Sequence, residues 1–190
     1  RNIMIIYDDF IEDQNFLDQV KNDKTFFSTN GKYYWYEGWW MHEPDTLKKQ
    51  LIEKIWGSQS PYRGITIAGF EYWTGQFGDG CPEQSLIQHF DKDEEHWEKT
   101  GEVIAPVIGS VFYPVPMDIE GGNLEIFSQG EDKEPEVVQA KFNRLVIFNA
   151  GQHLHKVSLV NKGLRSAIAI NLWQHKPSGC ESGSLLHESP

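Results

Sequence analysis

Apolar positions along this chain fall into two rhythms, helical before about residue 64 and strand-like after it. Phe10, Phe16, Leu17 and Val20 recur at approximately helical intervals and predict a first helix, with Asp8 or Asp9 available as its N-cap. Pro44-Asp45-Thr46-Leu47 opens a second helix, in which Leu47, Leu51, Ile52, Ile55 and Trp56 form an apolar stripe closed by Gly57. Both are expected to pack outside a sheet. Between them, Tyr33-Tyr34-Trp35-Tyr36-Glu37-Gly38-Trp39-Trp40 is dense in aromatics, which fits a buried strand better than the wall of a substrate groove. The opening residues up to Tyr7 also read as a strand.

From residue 64 onward short strands follow one another. They are expected over Ile65 to Trp73, Ser85 to Phe90, Val103 to Tyr113, Asn123 to Phe127, Glu136 to Gln139, Arg144 to Phe148, His155 to Val160 and Arg165 to Trp173. Gly121-Gly122, Gly130, Asn149-Ala150-Gly151 and Asn161-Lys162-Gly163 punctuate them. About eight strands in this order predict a mainly β domain with flanking α-helices, built as a double-sheet jelly roll or a barrel. One domain is expected over residues 1–174, with its helices in 8–57 and its jelly-roll core in 64–174. The tail 175–190, rich in Ser, Gly and Pro, is expected to be extended or partly disordered, although Leu185-Leu186 could dock on the body or on another subunit.

Composition narrows the function. With 39% hydrophobic and 24% charged residues in 190, the chain has the balance of a globular protein, and a globule of this size buries about 70% of its unfolded surface. Runs such as Leu145 to Phe148 fall far short of the roughly 20 apolar residues that cross a bilayer. The N-terminus turns acidic at Asp8-Asp9, where a secretory signal would stay apolar. Cys81 and Cys180 are expected to be reduced thiols. A net charge of −11 argues against a nucleic acid partner, because binding polyphosphate depends on clustered Lys and Arg.

The chemistry resides in two short motifs. Gln88-His89-Phe90-Asp91 places an imidazole and a carboxylate two residues apart, hence on one face if the segment is a strand. Gly151-Gln152-His153-Leu154-His155 supplies further imidazoles, and Arg165 a cation nearby in sequence. Two His and one carboxylate can hold one face of a divalent metal and leave the opposite positions open. An Arg fork suits a carboxylate in a buried pocket. Strand alternation cannot separate His153 from His155 as the third ligand.

On these residues the chain resembles the Fe(II)/2-oxoglutarate-dependent oxygenases, and particularly their prolyl 4-hydroxylase-like branch, over most of residues 64–174. The matching elements are Tyr72 with Gly75, His89-Phe90-Asp91, Gly121-Gly122-Asn123-Leu124, His155, and Arg165 ten residues beyond that His. The resemblance implies a double-stranded β-helix in which His89, Asp91 and His155 hold Fe(II). It implies that 2-oxoglutarate chelates the iron, that Arg165 pairs with its distal carboxylate, and that Tyr72 donates a hydrogen bond to the same group. Dioxygen would be the other cosubstrate, succinate and CO2 the coproducts, and ascorbate an accessory reductant. The spacing to Arg165 selects His155 over His153. The family often has Ser two residues after the basic anchor, whereas here Ser166 follows Arg165 directly and Ala167 takes the later place. The stretch from Gly75 to His89 is also longer than the family's compact form.

The branch resembled makes peptidyl proline the first substrate class, with free proline, another amino acid or a small metabolite as alternatives. The charged run Lys92 to Lys99 reads as a solvated loop; in this superfamily that segment borders the substrate entrance, where its acids would favour a cationic or polar substrate. A non-catalytic jelly-roll binding module and a zinc hydrolase are the readings outside the class. The need for ferrous iron and 2-oxoglutarate, with no signal segment seen, leads to an expectation of a cytoplasmic enzyme. Oligomeric state is left open.

Overall fold

The computed structural model describes residues 4–29, 31–37, 43–57 and 66–182. Gly38-Trp39-Trp40, the expected strand start at Ile65 and Leu185-Leu186 lie outside them.

The two expected helices form, α1 over Gln14–Asn22 and α2 over Leu47–Trp56. The carboxylate of Asp13, rather than Asp8 or Asp9, caps α1 by accepting the Phe16 N–H at 3.0 Å. Asp8 is engaged elsewhere: it takes the Arg144 guanidinium through Nε at 2.7 Å and Nη2 at 3.1 Å. The Thr46 hydroxyl accepts the Lys49 N–H at 3.1 Å at the head of α2, and Gly57 ends that helix. Phe16, Leu17 and Val20 of α1 and Leu51, Ile52, Ile55 and Trp56 of α2 bury one common face.

That face lies against a seven-stranded sheet. Its strands are β1 (Met4–Tyr7), β2 (Tyr34–Glu37), β3 (Gly69–Gly78), β5 (Ile108–Phe112), β9 (Leu145–Phe148), β12 (Leu164–Trp173) and β13 (Glu181–Ser182), in the order β1-β9-β5-β12-β3-β2-β13. A four-stranded sheet of β4 (Leu86–His89), β10 (Leu154–Val157), β7 (Leu124–Phe127) and β8 (Glu136–Val138) forms the second layer. A ribbon of β6 (Glu120–Gly121) and β11 (Val160–Lys162) stands beside them. Alternation along the ten-residue β12 explains the layering. Ile168, Ile170 and Leu172 join the helices in one core. Ala167 on the opposite face joins Tyr113, Leu124, Ile126, Val138, Val146 and Phe148 in a second core between the sheets. This is the expected mainly β jelly roll with flanking helices. Among the described residues no helix is long and apolar enough to cross a membrane, and both cysteines are free.

Several boundaries differ from the sequence reading. β3 continues past Trp73 to Gly78, because Thr74 to Gly78 still pair with Leu164 to Ile168 although their polar and small residues carry no apolar signal. The expected strand 155–160 divides into β10 and β11, since the Asn123 N–H turns to the Ser158 hydroxyl and the Val160 N–H to the Gln84 carbonyl. Residues 103–107 precede β5 rather than belonging to it. The charged run after Asp91 is not a loop but a helix, α3 over Glu94–Thr100, with Asp93 as N-cap, Glu94 and Glu95 in its first turn and Gly101 in the left-handed conformation at its end. The tail folds back: the Ser178 N–H donates to the Asp93 carboxylate at 2.7 Å, and β13 pairs in parallel with β2.

Candidate metal centre

β4 and β10 are adjacent antiparallel strands whose register sets His89 opposite His155, with ring centroids 4.3 Å apart. Each Nδ1 lies against the carbonyl two residues earlier, His89 on Ile87 at 2.7 Å and His155 on His153 at 2.9 Å. A carbonyl only accepts, so each Nδ1 carries the hydrogen and each Nε2 lone pair is free to bind a metal. Both Nε2 atoms converge on Asp91 Oδ1, at 3.1 Å from His89 and 3.2 Å from His155. β4 ends at His89, so Asp91 reaches the cluster from the following loop, where its N–H donates to the Ala150 carbonyl at 2.9 Å. Its other oxygen, Oδ2, accepts from Asn171 Nδ2 at 2.9 Å. Burial would raise the Asp91 pKa, but in the metal-free protein protons shared with the facing Nε2 atoms of His155 and His89, together with the hydrogen bond from Asn171, outweigh it and hold the carboxyl well below the usual range; a metal would take the place of those shared protons. One ligand atom from each of the three residues falls within 4.8 Å of the others. That donor set, two neutral imidazoles and an ionised carboxylate, fits a divalent transition metal with open positions.

The cluster opens on a cavity of about 610 Å³ between the two sheets, which Glu71, Ala169 and Arg165 also line. Arg165 is 3% exposed and, among the described residues, pairs with no carboxylate. Its Nε donates to the Gly122 carbonyl at 2.8 Å and its Nη2 to the Tyr113 hydroxyl at 3.1 Å. Gly122 is needed there: its φ is +67°, and a Cβ would stand 3.0 Å from Arg165 Cδ. A buried guanidinium facing a cavity without a counterion is costly until an anion arrives.

The sequence-predicted residues divide accordingly. His89, Asp91 and His155 come together, and Arg165 shares their cavity. Tyr72 does not join them: it is fully buried on the helix side of the seven-stranded sheet, stacked on Tyr34 at 5.8 Å. Alternation separates it from Arg165, because Arg165 pairs with Phe77 while Tyr72 pairs with Ile170. The phenol beside Arg165 is Tyr113, which the sequence reading passed over as the end of a strand. Ser166 also points away, its hydroxyl accepting from Gln76 Nε2 at 3.0 Å. His153 lies in the turn before β10 and contributes its carbonyl to His155.

Glu71 is a second buried carboxyl in the cavity wall, accepting from Trp173 Nε1 at 3.1 Å and Asn171 Nδ2 at 3.5 Å. Burial pushes its pKa from 4.5 to about 7. A carboxyl raised on folding keeps its proton in the native state after the unfolded chain has lost it, so native stability falls as pH rises from about 4.5 to about 7. In the metal-free protein, Glu71→Gln is therefore expected to be the more stable by up to about 3 kcal/mol at pH 8, and no more stable at pH 4. Urea titrations at the two pH values check this; a pH-independent difference refutes it.

A family model described as the 2OG-Fe(II) oxygenase superfamily matches residues 77–175, just over half of the chain and a span that includes both histidines, Asp91 and Arg165. The chain belongs to the 2OG-Fe(II) oxygenase superfamily. The family brings Fe(II) as the metal and 2-oxoglutarate as cosubstrate, and the donor set and buried cation of this oxygenase fit both. Among solved structures it is similar to a prolyl-4-hydroxylase of Pseudomonas putida, at TM-score 0.60 and 14% identity over 90% of this chain and 85% of that one. It is also similar to a viral collagen prolyl hydroxylase from Paramecium Bursaria Chlorella virus-1 in complex with 2OG, at 0.55 and 13% over 91% and 96%. A prolyl hydroxylase from Trichoplax adhaerens, in complex with a hypoxia inducible factor peptide fragment, aligns at 0.52 and 13% over 90% and 83%. At these identities the likeness is one of fold. Comparison with curated proteins gives no match.

Proposed function

We propose that residues 1–174 act as one catalytic unit that hydroxylates a prolyl residue in a peptide or protein, with His89, Asp91 and His155 holding Fe(II) and Arg165 holding 2-oxoglutarate. The observation that carries the cosubstrate assignment is the buried Arg165, which has no carboxylate partner among the described residues and faces the same cavity as the His-Asp-His cluster. Bound there, the metal and cosubstrate would supply activation of dioxygen coupled to decarboxylation of 2-oxoglutarate to succinate and CO2. The chain's own share is placement. The Ile87 and His153 carbonyls fix both imidazole tautomers, Arg165 with Tyr113 orients the distal carboxylate of the cosubstrate, and the apolar walls of Leu124, Phe148 and Ala167 exclude water.

Proline as target is supported by the shared fold with three prolyl hydroxylases, one of them holding a peptide. The test is to incubate the protein with Fe(II), ascorbate and 2-oxoglutarate, and to follow succinate with and without proline-containing peptides, free proline and other amino acids. Peptide-stimulated succinate, with a product heavier by one oxygen on proline, is the expected result. Stimulation by free amino acids alone would move the substrate class, and activity that persists without 2-oxoglutarate would remove the oxygenase reading.

A further inference from the structure

Asn171 stands behind the metal cluster rather than in it, and its carboxamide has no freedom of orientation. It is 2% exposed. Its Nδ2 faces two carboxylates, Asp91 Oδ2 at 2.9 Å and Glu71 Oε1 at 3.5 Å, so that end must be the donor. Its Oδ1 lies over the backbone of Gly109, the residue that pairs with it across β5 and β12. A Cβ on Gly109 would stand 2.8 Å from that oxygen and 2.7 Å from Ala150 Cβ. Gly109 thus keeps open the space that the amide fills. Ala150 in turn accepts the Asp91 N–H, so the glycine, the amide and the carboxylate form one packed unit.

Resting on the reading that His89, Asp91 and His155 hold the metal, we propose that Asn171, seated on Gly109, is a positioning residue that occupies Asp91 Oδ2 and commits Oδ1 alone to the metal. A carboxylate with both oxygens free can rotate or chelate through both, and would then take a position that the cosubstrate needs. The amide prevents this by holding one oxygen. It also places a donor between Asp91 and Glu71, two acids that would otherwise repel each other. Groups that orient metal ligands in this manner typically change metal affinity by about 10- to 100-fold when removed.

The probe is Co(II), whose visible bands report ligand geometry with no turnover needed. Asn171→Leu conserves volume and removes the donor. It is expected to bind Co(II) about 10- to 100-fold more weakly than the parent, with altered visible bands. The Gly109→Ala change combined with Ala150→Gly keeps every polar group of the centre and presses only on the Asn171 oxygen. It is expected to alter the bands in the same direction, which keeps the proposal testable if Asn171→Leu fails to fold. A folded Asn171→Leu protein with parental Co(II) affinity and spectrum overturns the proposal. If the parent itself binds no Co(II), the metal assignment beneath it fails, and this proposal fails with it.

Discussion

His155→Ala is expected to abolish Fe(II) binding and succinate formation, whereas His153→Ala retains both. The two residues are separated by one position, and their roles differ by atom. His155 brings Nε2 to within 3.2 Å of Asp91 Oδ1. His153 contributes a main-chain carbonyl to His155 Nδ1, and alanine supplies the same carbonyl. Loss of a direct ligand should exceed the about 10- to 100-fold loss seen when only an orienting group is removed. Equilibrium dialysis of both variants with Fe(II) under anaerobic conditions reads the difference directly, and a reversed pattern would refute the choice of ligand.

Arg165→Met should have effects of opposite kind on the ligand-free and the loaded protein. The guanidinium provides the charge-assisted bonds for the distal carboxylate, so its loss is expected to raise the KM for 2-oxoglutarate by about 100-fold, equivalent to about 3 kcal/mol. Yet in the ligand-free state it is a buried cation with no carboxylate partner among the described residues, and replacing such a charge by an apolar chain of similar length is often neutral or stabilising. The loss of its bonds to Gly122 and Tyr113 offsets part of that gain. The melting temperature without ligand should therefore not fall. The parent with metal should gain stability on adding 2-oxoglutarate, about 3 kcal/mol at a hundredfold excess over Kd, and Arg165→Met should not. A variant that unfolds without ligand but still responds to 2-oxoglutarate would assign Arg165 to the scaffold.

How far the sequence disclosed this centre depended on whether the residues concerned followed a pattern of their own. His89, Asp91, His155 and Arg165 were legible because their spacings match a family template. The strand cores were legible because Ile168, Ile170 and Leu172 alternate. Tyr72 was misread because a phenol in the correct strand says nothing of its face, and only the pairing of β3 with β12 turns it toward α1 and α2. Tyr113 could have been found by parity, since it shares a face with Ala167, Ala169 and Asn171 once β5 is set beside β12. α3 escaped because it buries no residue and so has no apolar period, although Asp93, Glu94, Glu95 and Gly101 are ordinary start and stop signals. Asn171 and Gly109 had no signal at all, because their relation exists only across a ladder between residues 62 positions apart.

The strand order also bears on how the protein comes into being. Among the described residues β1 has one sheet neighbour, β9, which lies 138 residues further along the chain, with Tyr7 opposite Leu145. At a synthesis rate of about 5 to 20 residues per second, β1 waits roughly 7 to 28 seconds for its partner to be made. The metal cluster is completed later than that pairing, because Asn171 and its neighbours on β12 follow β9 in the chain and cross the middle of the larger sheet. Iron that arrives before β12 has paired would thus find its ligands not yet held in place, and loading belongs after β12 has joined the sheet.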